Sequence, residues 1–306
     1  MATSVVHQNG VTWTNIEHPT ADDIEALSLR YPQFHPLNLQ DCLTELEYPK
    51  LDYHDHYIFL VAQMPMRDAA EQLIRPAEVD IFVGHDYLVT AHRAEMQPLA
   101  DLYLTAQDPA SPAAALMLKG EAAPLLYHLL DGLVDECYPL IQQMGTRLRR
   151  IEQDLLKSDT RKILFDITVL RRDIIATRGI LKSQIGVIDT LVKERWSFIS
   201  DELDPYWGDI SDHLLQLCGL LDQYAEIVGG LSEAIDTLAS HRIDEVIRLL
   251  TVVTIITLPI TLLATIFGMN IVMPFSDRPS LFYLLVFLGL VFSVWLLWYL
   301  RRRRWM

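Results

Sequence analysis

Hydroxyl side chains recur at helical spacing in a stretch of the sequence that is otherwise apolar. Of the five threonines between residues 251 and 265, those at 251, 254, 261 and 265 fall on one stripe of a helix, with Leu258 in the gap. Such a stripe of oxygen atoms could line a path for ions. The alternative is that each threonine bonds to the preceding turn or packs against a neighbouring helix.

A single amide side chain follows the end of this stretch. Asn270 comes after Gly268 and Met269, and the glycine lets the chain turn there. A ring of such amides from several subunits would present carbonyl oxygens to an entering ion. Because Mg²⁺ gives up its water reluctantly, the ring could bind the hydrated ion through its waters. The alternative is that Asn270 only caps the end of the helix.

Two apolar stretches near the carboxyl end are long enough to cross a bilayer. Residues 246–267 contain Arg248 as their only charge and residues 281–300 contain none, and about 20 apolar residues span the hydrocarbon core. Two buried helices of a soluble protein are the alternative, but such helices rarely run so far without a charge. The arginines at 301–304 predict that the tail, 301–306, is cytoplasmic. Both termini are then cytoplasmic, and residues 268–280 form an outer loop.

One stripe cannot enclose a pore, so several copies must surround an axis in a closed cyclic oligomer. The spacing of the lining face is close to a heptad repeat, as a bundle requires. Its apolar members would form rings able to gate by dewetting, and the acid at position 244 would form a ring at the cytoplasmic mouth. The predicted lining residues are Asp244, Ile247, Leu250, Thr251, Thr254, Leu258, Thr261 and Thr265. Pro259 removes a backbone hydrogen bond, which predicts a kink in this helix.

The rest of the chain predicts an α+β cytoplasmic domain followed by long helices. Within residues 1–110, strands are predicted at 11–17, 57–64 and 79–93, the last folded at Gly84, with helices after Thr20 and over 95–106. Residues 111–203 predict two amphipathic helices, 125–157 and 163–192, packed as a hairpin. One further helix is predicted from Pro205 through a cytoplasmic part, 204–245, to Phe267, roughly 95 Å long at 1.5 Å per residue.

The charge of the cytoplasmic part bears on its partners. The whole chain has a net charge of −15, and residues 245–306 carry six arginines against two acids, which leaves −19 for the remainder. So acidic a domain repels nucleic acid and attracts cations. The amino terminus has no basic start and no apolar run, so no signal peptide is expected. The three cysteines are far apart and suit a reducing cytosol.

The sequence offers little that could do catalysis. It has no Walker motif and no nucleophile motif, so no enzymatic activity is expected, with a membrane-anchored enzyme as the distant alternative. His54 and His56 would lie on one face of an extended strand and could bind zinc, but two ligands do not make a site. No titratable residue lies between Arg248 and Asn270, which disfavours proton coupling.

The carboxyl-terminal part resembles the CorA-type magnesium transporters. Gly268, Met269 and Asn270 match the signature of that family, and they stand between two apolar helices that end in "RRRRWM". The segments "FHPLNLQDCL" (34–43) and "YWGDISDHLLQ" (206–216) are similar to its His-Pro-Leu segment and to the start of its stalk helix. The resemblance covers nearly the whole chain. It implies a funnel-shaped homopentamer in the inner membrane that conducts Mg²⁺, and with it Co²⁺, passively inward.

The resemblance also implies a regulatory site between subunits. In the family, an acid of the His-Pro-Leu segment and an aspartate of the neighbouring stalk helix share a metal ion, and those positions here are Asp41 and Asp209. When cytosolic Mg²⁺ falls, the metal leaves, the carboxylates repel one another and the gate opens. Mg²⁺ is therefore expected both as the transported ion and as the regulator.

Several positions depart from the family pattern. Gln40 stands where the family often has a second acid, Ile247 replaces a methionine, and Asp244 replaces an asparagine. Phe275 stands where the outer loop often carries a glutamate. A zinc or cobalt transporter on the same scaffold is the alternative. Because zinc-transporting relatives usually vary the middle residue of the signature, Met269 favours magnesium.

Overall fold

Six strands form one mixed sheet in the order β1-β2-β6-β5-β4-β3. Their bounds are Thr3–Gln8, Val11–Glu17, Lys50–His54, Tyr57–Arg67, Ile74–Val83 and Tyr87–His92 for β1 to β6. The β2–β6 pair is parallel and the other neighbours are antiparallel. The strands predicted at 11–17, 57–64 and 79–93 are confirmed, including the fold of the last at Gly84.

The computed structural model describes residues 3–44, 46–68, 70–93, 96–108, 110–111, 120–155, 160–196, 198–269 and 279–302. The chain divides into two units, Met1–Leu231 and Ser232–Met306. The sheet belongs to the first unit, and the boundary falls directly after Gly229, Gly230 and Leu231, inside a helix.

Both faces of the sheet are buried along β4, which explains why this strand is almost continuously apolar. Successive side chains of a strand point to opposite faces. Tyr57, Phe59 and Val61 share a core cluster with residues of α1 (Ala21–Arg30) and α2 (Pro36–Asp41). The intervening Ile58 and Leu60 are fully buried as well, and helix α6 (Thr160–Lys193) contacts β3, β4 and β5.

The helix predicted over 125–157 is two helices, α4 (Ala123–Asp135) and α5 (Cys137–Asp154), after the shorter α3 (Gln97–Ala106). The single-helix prediction was wrong at Glu136. Pro139 has no N–H for the carbonyl of Asp135, and its ring would clash with that carbonyl. The break places Pro139 in the first turn of α5, where no such donor is needed. Helices α5 and α6 pack together as predicted, with Arg147 Nη1 3.4 Å from Asp173 Oδ2.

The long helix predicted to reach Phe267 is confirmed as α7, Asp204–Phe267, which follows a 3-10 turn at Asp201–Leu203. Its 64 residues correspond to roughly 96 Å. The last helix is α8, Pro279–Arg302. The carboxyl-terminal part of α7 and most of α8 are long and apolar enough to cross a membrane, and almost none of either apolar stretch is buried.

Candidate functional site

Every threonine of the predicted stripe, and Thr257 outside it, uses its hydroxyl proton inside its own helix. Each of the five hydroxyls donates to the carbonyl four residues earlier, at 2.8, 2.9, 3.0, 2.8 and 2.7 Å for Thr251, Thr254, Thr257, Thr261 and Thr265. A hydroxyl has one proton but two lone pairs. The exposed hydroxyls at 254, 261 and 265 therefore present an oxygen that can only accept.

The threonine stripe lies away from the face of α7 that contacts α8. Ile255, Pro259 and Leu263 form that contact: Ser293 Oγ is 3.2 Å from the Ile255 carbonyl, and Gly289 lies against Pro259 and Leu263. At 3.6 residues per turn, this face is about 120° from the stripe. Packing between α7 and α8 within one chain therefore does not account for the threonines, whereas the alternative bond from each threonine to the preceding turn is present in the structure.

The apolar and acidic positions predicted to line a pore are exposed as well. Ile247, Leu250 and Leu258 are 56%, 65% and 58% exposed. Asp244 is exposed on the same helix. Apolar side chains with this exposure need a covering partner, either lipid or other copies of the chain.

Helix α7 ends at Phe267, immediately before the Gly-Met-Asn signature. The N–H of Gly268 donates to the Ala264 carbonyl at 2.9 Å. A Cβ at Gly268 would lie 2.9 Å from that same oxygen, so a side chain cannot be accommodated unless the backbone shifts. Met269 is 53% exposed. Asn270 lies outside the described residues.

In the amino-terminal unit, Asp41 is the last residue of α2, and its carboxylate is already paired. His35 caps this helix and Pro36 occupies its first turn. Lys50 Nζ donates to Asp41 Oδ2 at 2.7 Å, and the two side chains are 34% and 16% exposed. Burial disfavours the charged form of Lys50, but the hydrogen bond and charge of Asp41 outweigh it and raise the pKa of the lysine. A metal ion at Asp41 would have to displace this ammonium group.

Asp209 lies in the second turn of α7 and is half exposed. Its Oδ1 atom is 3.8 Å from His213 Nε2, one helical turn further on. Within one chain its neighbour is thus the imidazole of His213, whereas Asp41 pairs with Lys50. The structure therefore gives the two predicted regulatory aspartates separate partners, and a contact between them stays a prediction about neighbouring subunits.

A group of possible metal ligands that the sequence did not suggest lies beside Asp209. Asp131 and Asp135 of α4 and His213 of α7 each offer one donor atom, and the three atoms all lie within 4.8 Å of one another. Among the residues that the structure describes, this is the one such group of His, Cys, Asp and Glu. Asp131 and Asp135 are four residues apart on α4, and Asp209 and His213 are four apart on α7. This spacing places each pair on one face of its helix, and it is the signal in the sequence from which the group could have been predicted.

The electrostatics of this group suit a cation. Burial and the neighbouring Asp135 raise the pKa of Asp131, which shows that its negative charge is poorly compensated. His213 Nδ1 is buried without a hydrogen-bond partner in the described part of the chain. Two carboxylates and an imidazole are a donor set for a divalent ion, and the imidazole suits Co²⁺ or Zn²⁺ better than Mg²⁺.

The zinc hypothesis for residues 54–56 loses its geometric basis. His54 ends β3 and pairs with Tyr57, so Asp55 and His56 form a two-residue hairpin turn rather than an extended strand. His54 Nε2 is 2.9 Å from Asn38 Oδ1 and its ring stacks on Tyr57. The prediction that both imidazoles share one face of a strand was therefore wrong.

Comparison with known proteins identifies the family. Residues 8–302 match the family described as "CorA-like Mg2+ transporter protein". A Bacillus subtilis protein named "Putative metal ion transporter YfjQ" is 32% identical over 273 residues, which are 87% of this chain and 81% of that protein. The "Cobalt/magnesium transport protein CorA" of Thermotoga maritima is 24% identical over 301 residues, which are 96% of this chain and 83% of that protein.

A solved structure supports the fold over almost the full length. "The complete structure of CorA magnesium transporter from Methanocaldococcus jannaschii" matches with a TM-score of 0.81 at 20% identity, and covers 97% of this chain and 92% of that chain. This confirms the predicted mixed α/β domain, long helix and two carboxyl-terminal apolar helices. The family consists of non-enzymatic transporters, so the membrane-anchored enzyme is excluded. The chain belongs to the CorA-like Mg²⁺ transporter family and is a divalent metal ion transporter with two carboxyl-terminal membrane spans.

Proposed function

We propose that this protein conducts Mg²⁺, and with it Co²⁺, passively into the cell through a homopentamer in the inner membrane. Both termini and residues 1–245 are cytoplasmic in this proposal, and residues 268–280 form the outer loop. A membrane potential of 100 mV supplies about 4.6 kcal/mol for a divalent ion, so no ATP is required. The proposal also draws on the named activity of the Thermotoga maritima relative.

The observation that carries the proposal is the acceptor-only threonine stripe on α7. A hydrated Mg²⁺ presents water hydrogens outwards, and the exposed oxygens of Thr254, Thr261 and Thr265 can accept them. Mg²⁺ is reluctant to shed water, so a lining that binds its hydration shell avoids that penalty. Several copies around one axis would turn the stripe into a hydrophilic channel.

The ends of the stripe provide selection and gating in this proposal. A ring of Asn270 amides, beside Gly268 and Met269, would receive the hydrated ion at the outer end. Rings of the exposed Ile247, Leu250 and Leu258 would close the path by dewetting.

Regulation would act at the carboxylates of the amino-terminal unit. A divalent ion between Asp41 of one subunit and Asp209 of the next would hold the subunits together. The Asp131–Asp135–His213 group borders Asp209 and would hold or attract a second ion. Loss of the ion between Asp41 and Asp209 at low cytosolic Mg²⁺ would leave repelling carboxylates. Helix α7 runs without interruption from Asp209 to Thr265 and could transmit the change.

Ion influx into liposomes that contain the purified full-length protein tests the proposal. The parent should admit Mg²⁺ under an inside-negative potential, and Asn270→Ala should abolish that influx without dissociating the oligomer. Influx of Zn²⁺ without Mg²⁺ would move the protein to the zinc-transporting alternative. Mg²⁺ influx that is unchanged in Asn270→Ala would remove the signature asparagine from the mechanism.

A further inference from the structure

Pro259 leaves one backbone carbonyl of α7 without its helical donor. In an α-helix the N–H of residue i bonds to the carbonyl of residue i−4, and proline has no N–H. The carbonyl that loses its partner is that of Ile255. The helix nevertheless continues through Pro259 to Phe267. Because lipid offers no hydrogen-bond donor, an unsatisfied carbonyl at this depth would be costly.

A hydroxyl from α8 reaches that carbonyl. Ser293 Oγ lies 3.2 Å from the Ile255 oxygen and 3.1 Å from the Gly289 oxygen of its own helix. Ser293 is 4% exposed, and it is the one buried polar side chain that the described residues of the second unit contain. A serine in a membrane helix commonly bonds to the carbonyl four residues earlier, which is Gly289 here. The second acceptor within reach is the carbonyl that Pro259 freed, so the single hydroxyl proton of Ser293 is shared between the two oxygens.

The neighbourhood keeps the two helices close at this point and leaves room beside the proline. A Cβ at Gly289 would meet Pro259 Cβ at 3.5 Å and Leu263 Cδ1 at 3.6 Å, so the side chains of α7 reach to within van der Waals contact of this position on α8. An apolar cavity of about 150 Å³ lies between Pro259, Leu263, Ala264 and Gly289. The helix is weakened at Pro259, and a hydrogen bond across the contact with α8 would restrain its bending there.

We propose that Ser293 is a positioning residue that satisfies the Ile255 carbonyl freed by Pro259 and so fixes the conformation of α7. The functional part of this inference rests on the proposed pore role of α7. Thr254 and Leu258 of the stripe immediately precede Ile255 and Pro259 along the chain, so a change in bend at this level would displace them. Ser293 acts through α7 and touches no ion.

A double-mutant cycle of Ser293→Ala and Pro259→Ala tests the inference in the full-length oligomer. Pro259→Ala restores an N–H that can bond to the Ile255 carbonyl, so the serine becomes redundant. We expect Ser293→Ala to lower the thermal unfolding midpoint. It should also shift the half-inhibiting internal Mg²⁺, which is the internal Mg²⁺ concentration that halves the influx, by about threefold, a typical effect of one interhelical hydrogen bond. In the Pro259→Ala background, Ser293→Ala should change neither quantity.

Two further variants separate hydrogen bonding from packing. Ser293→Thr keeps the hydroxyl and should retain the parent midpoint, whereas Ser293→Val has the same shape as threonine and should behave like Ser293→Ala. If Ser293→Ala lowers the unfolding midpoint equally in the parent and in Pro259→Ala, or lowers it in neither, the inference would be overturned. If Ser293→Ala lowers the unfolding midpoint only when Pro259 is present, and the parent protein shows no ion flux, the hydrogen bond would be supported and the proposed transport overturned.

Discussion

Removal of the Lys50 ammonium group should make the regulatory site more sensitive to Mg²⁺. Lys50 Nζ lies 2.7 Å from Asp41 Oδ2, so a regulatory ion at Asp41 must displace it. A charged hydrogen bond contributes about 1.5–3 kcal/mol when it is buried. The lysine is 34% exposed, and solvent screening reduces the contribution to about 1 kcal/mol.

About 1 kcal/mol corresponds to about fivefold in binding. We therefore expect Lys50→Met to lower the half-inhibiting internal Mg²⁺ about fivefold in the liposome influx assay. Arg178→Met is the matched control because it removes an ion pair of the same 2.7 Å length, to Asp222, and should leave the half-inhibiting concentration at the parent value. An unchanged or higher half-inhibiting concentration in Lys50→Met would refute the competition between lysine and metal at Asp41.

Three further expectations concern the stripe, the helix end and a buried acid. Thr254→Val should lower Mg²⁺ influx about tenfold, the equivalent of one lost hydrogen bond. Thr257→Val removes the same kind of back-bond from a threonine outside the stripe and should leave the influx at the parent level. Equal effects of the two substitutions would contradict the pore lining. Gly268→Ala should lower the unfolding midpoint and the influx, because the new Cβ would lie 2.9 Å from a backbone oxygen. A variant with the parent's midpoint and influx would show that position 268 does not require glycine. Burial, with the charge of Glu78, raises the pKa of Asp80 from 3.8 to about 8. The folded state then holds an extra proton between about pH 4 and 8, so its stability should fall as pH rises through that window, by at most about 1.4 kcal/mol per unit. Thermal unfolding of Asp80→Asn should lack this slope, and a slope equal to the parent's would disprove the assignment.

The elements that could be predicted are those whose signal is local. Helix α7 was predicted to within one residue because Pro205 marks its start and no loop signal follows before Phe267. The threonine stripe follows from helical periodicity alone. The break at Glu136 also had a local cause, Pro139, but the apolar periodicity on both sides obscured it.

The details of the site depend on contacts between distant segments. Asp131 and His213 are 82 residues apart, and only the packing of α4 against α7 brings their donor atoms within 4.8 Å. The pairing of Lys50 with Asp41 requires β3 to lie beside α2. Sequence periodicity could not reveal either contact, because it reports which face of a helix is apolar and not which helix covers it.

The sequence departures from the family also take on a physical meaning. Gln40 removes one acid from the His-Pro-Leu segment, and Lys50 neutralises the remaining Asp41. Asp209, by contrast, lies beside a three-residue ligand group on α4 and α7. Within one chain, the stronger candidate for holding a cation is therefore the Asp209 side of the proposed interface.

The most direct test of the account is the initial rate of potential-driven Mg²⁺ influx into proteoliposomes, measured at low and at high internal Mg²⁺. We expect rapid influx at low internal Mg²⁺ and a falling rate as internal Mg²⁺ rises. Influx that is independent of internal Mg²⁺ would contradict the regulatory site, and the absence of Mg²⁺ influx at every concentration, with intact oligomers, would contradict the pore itself.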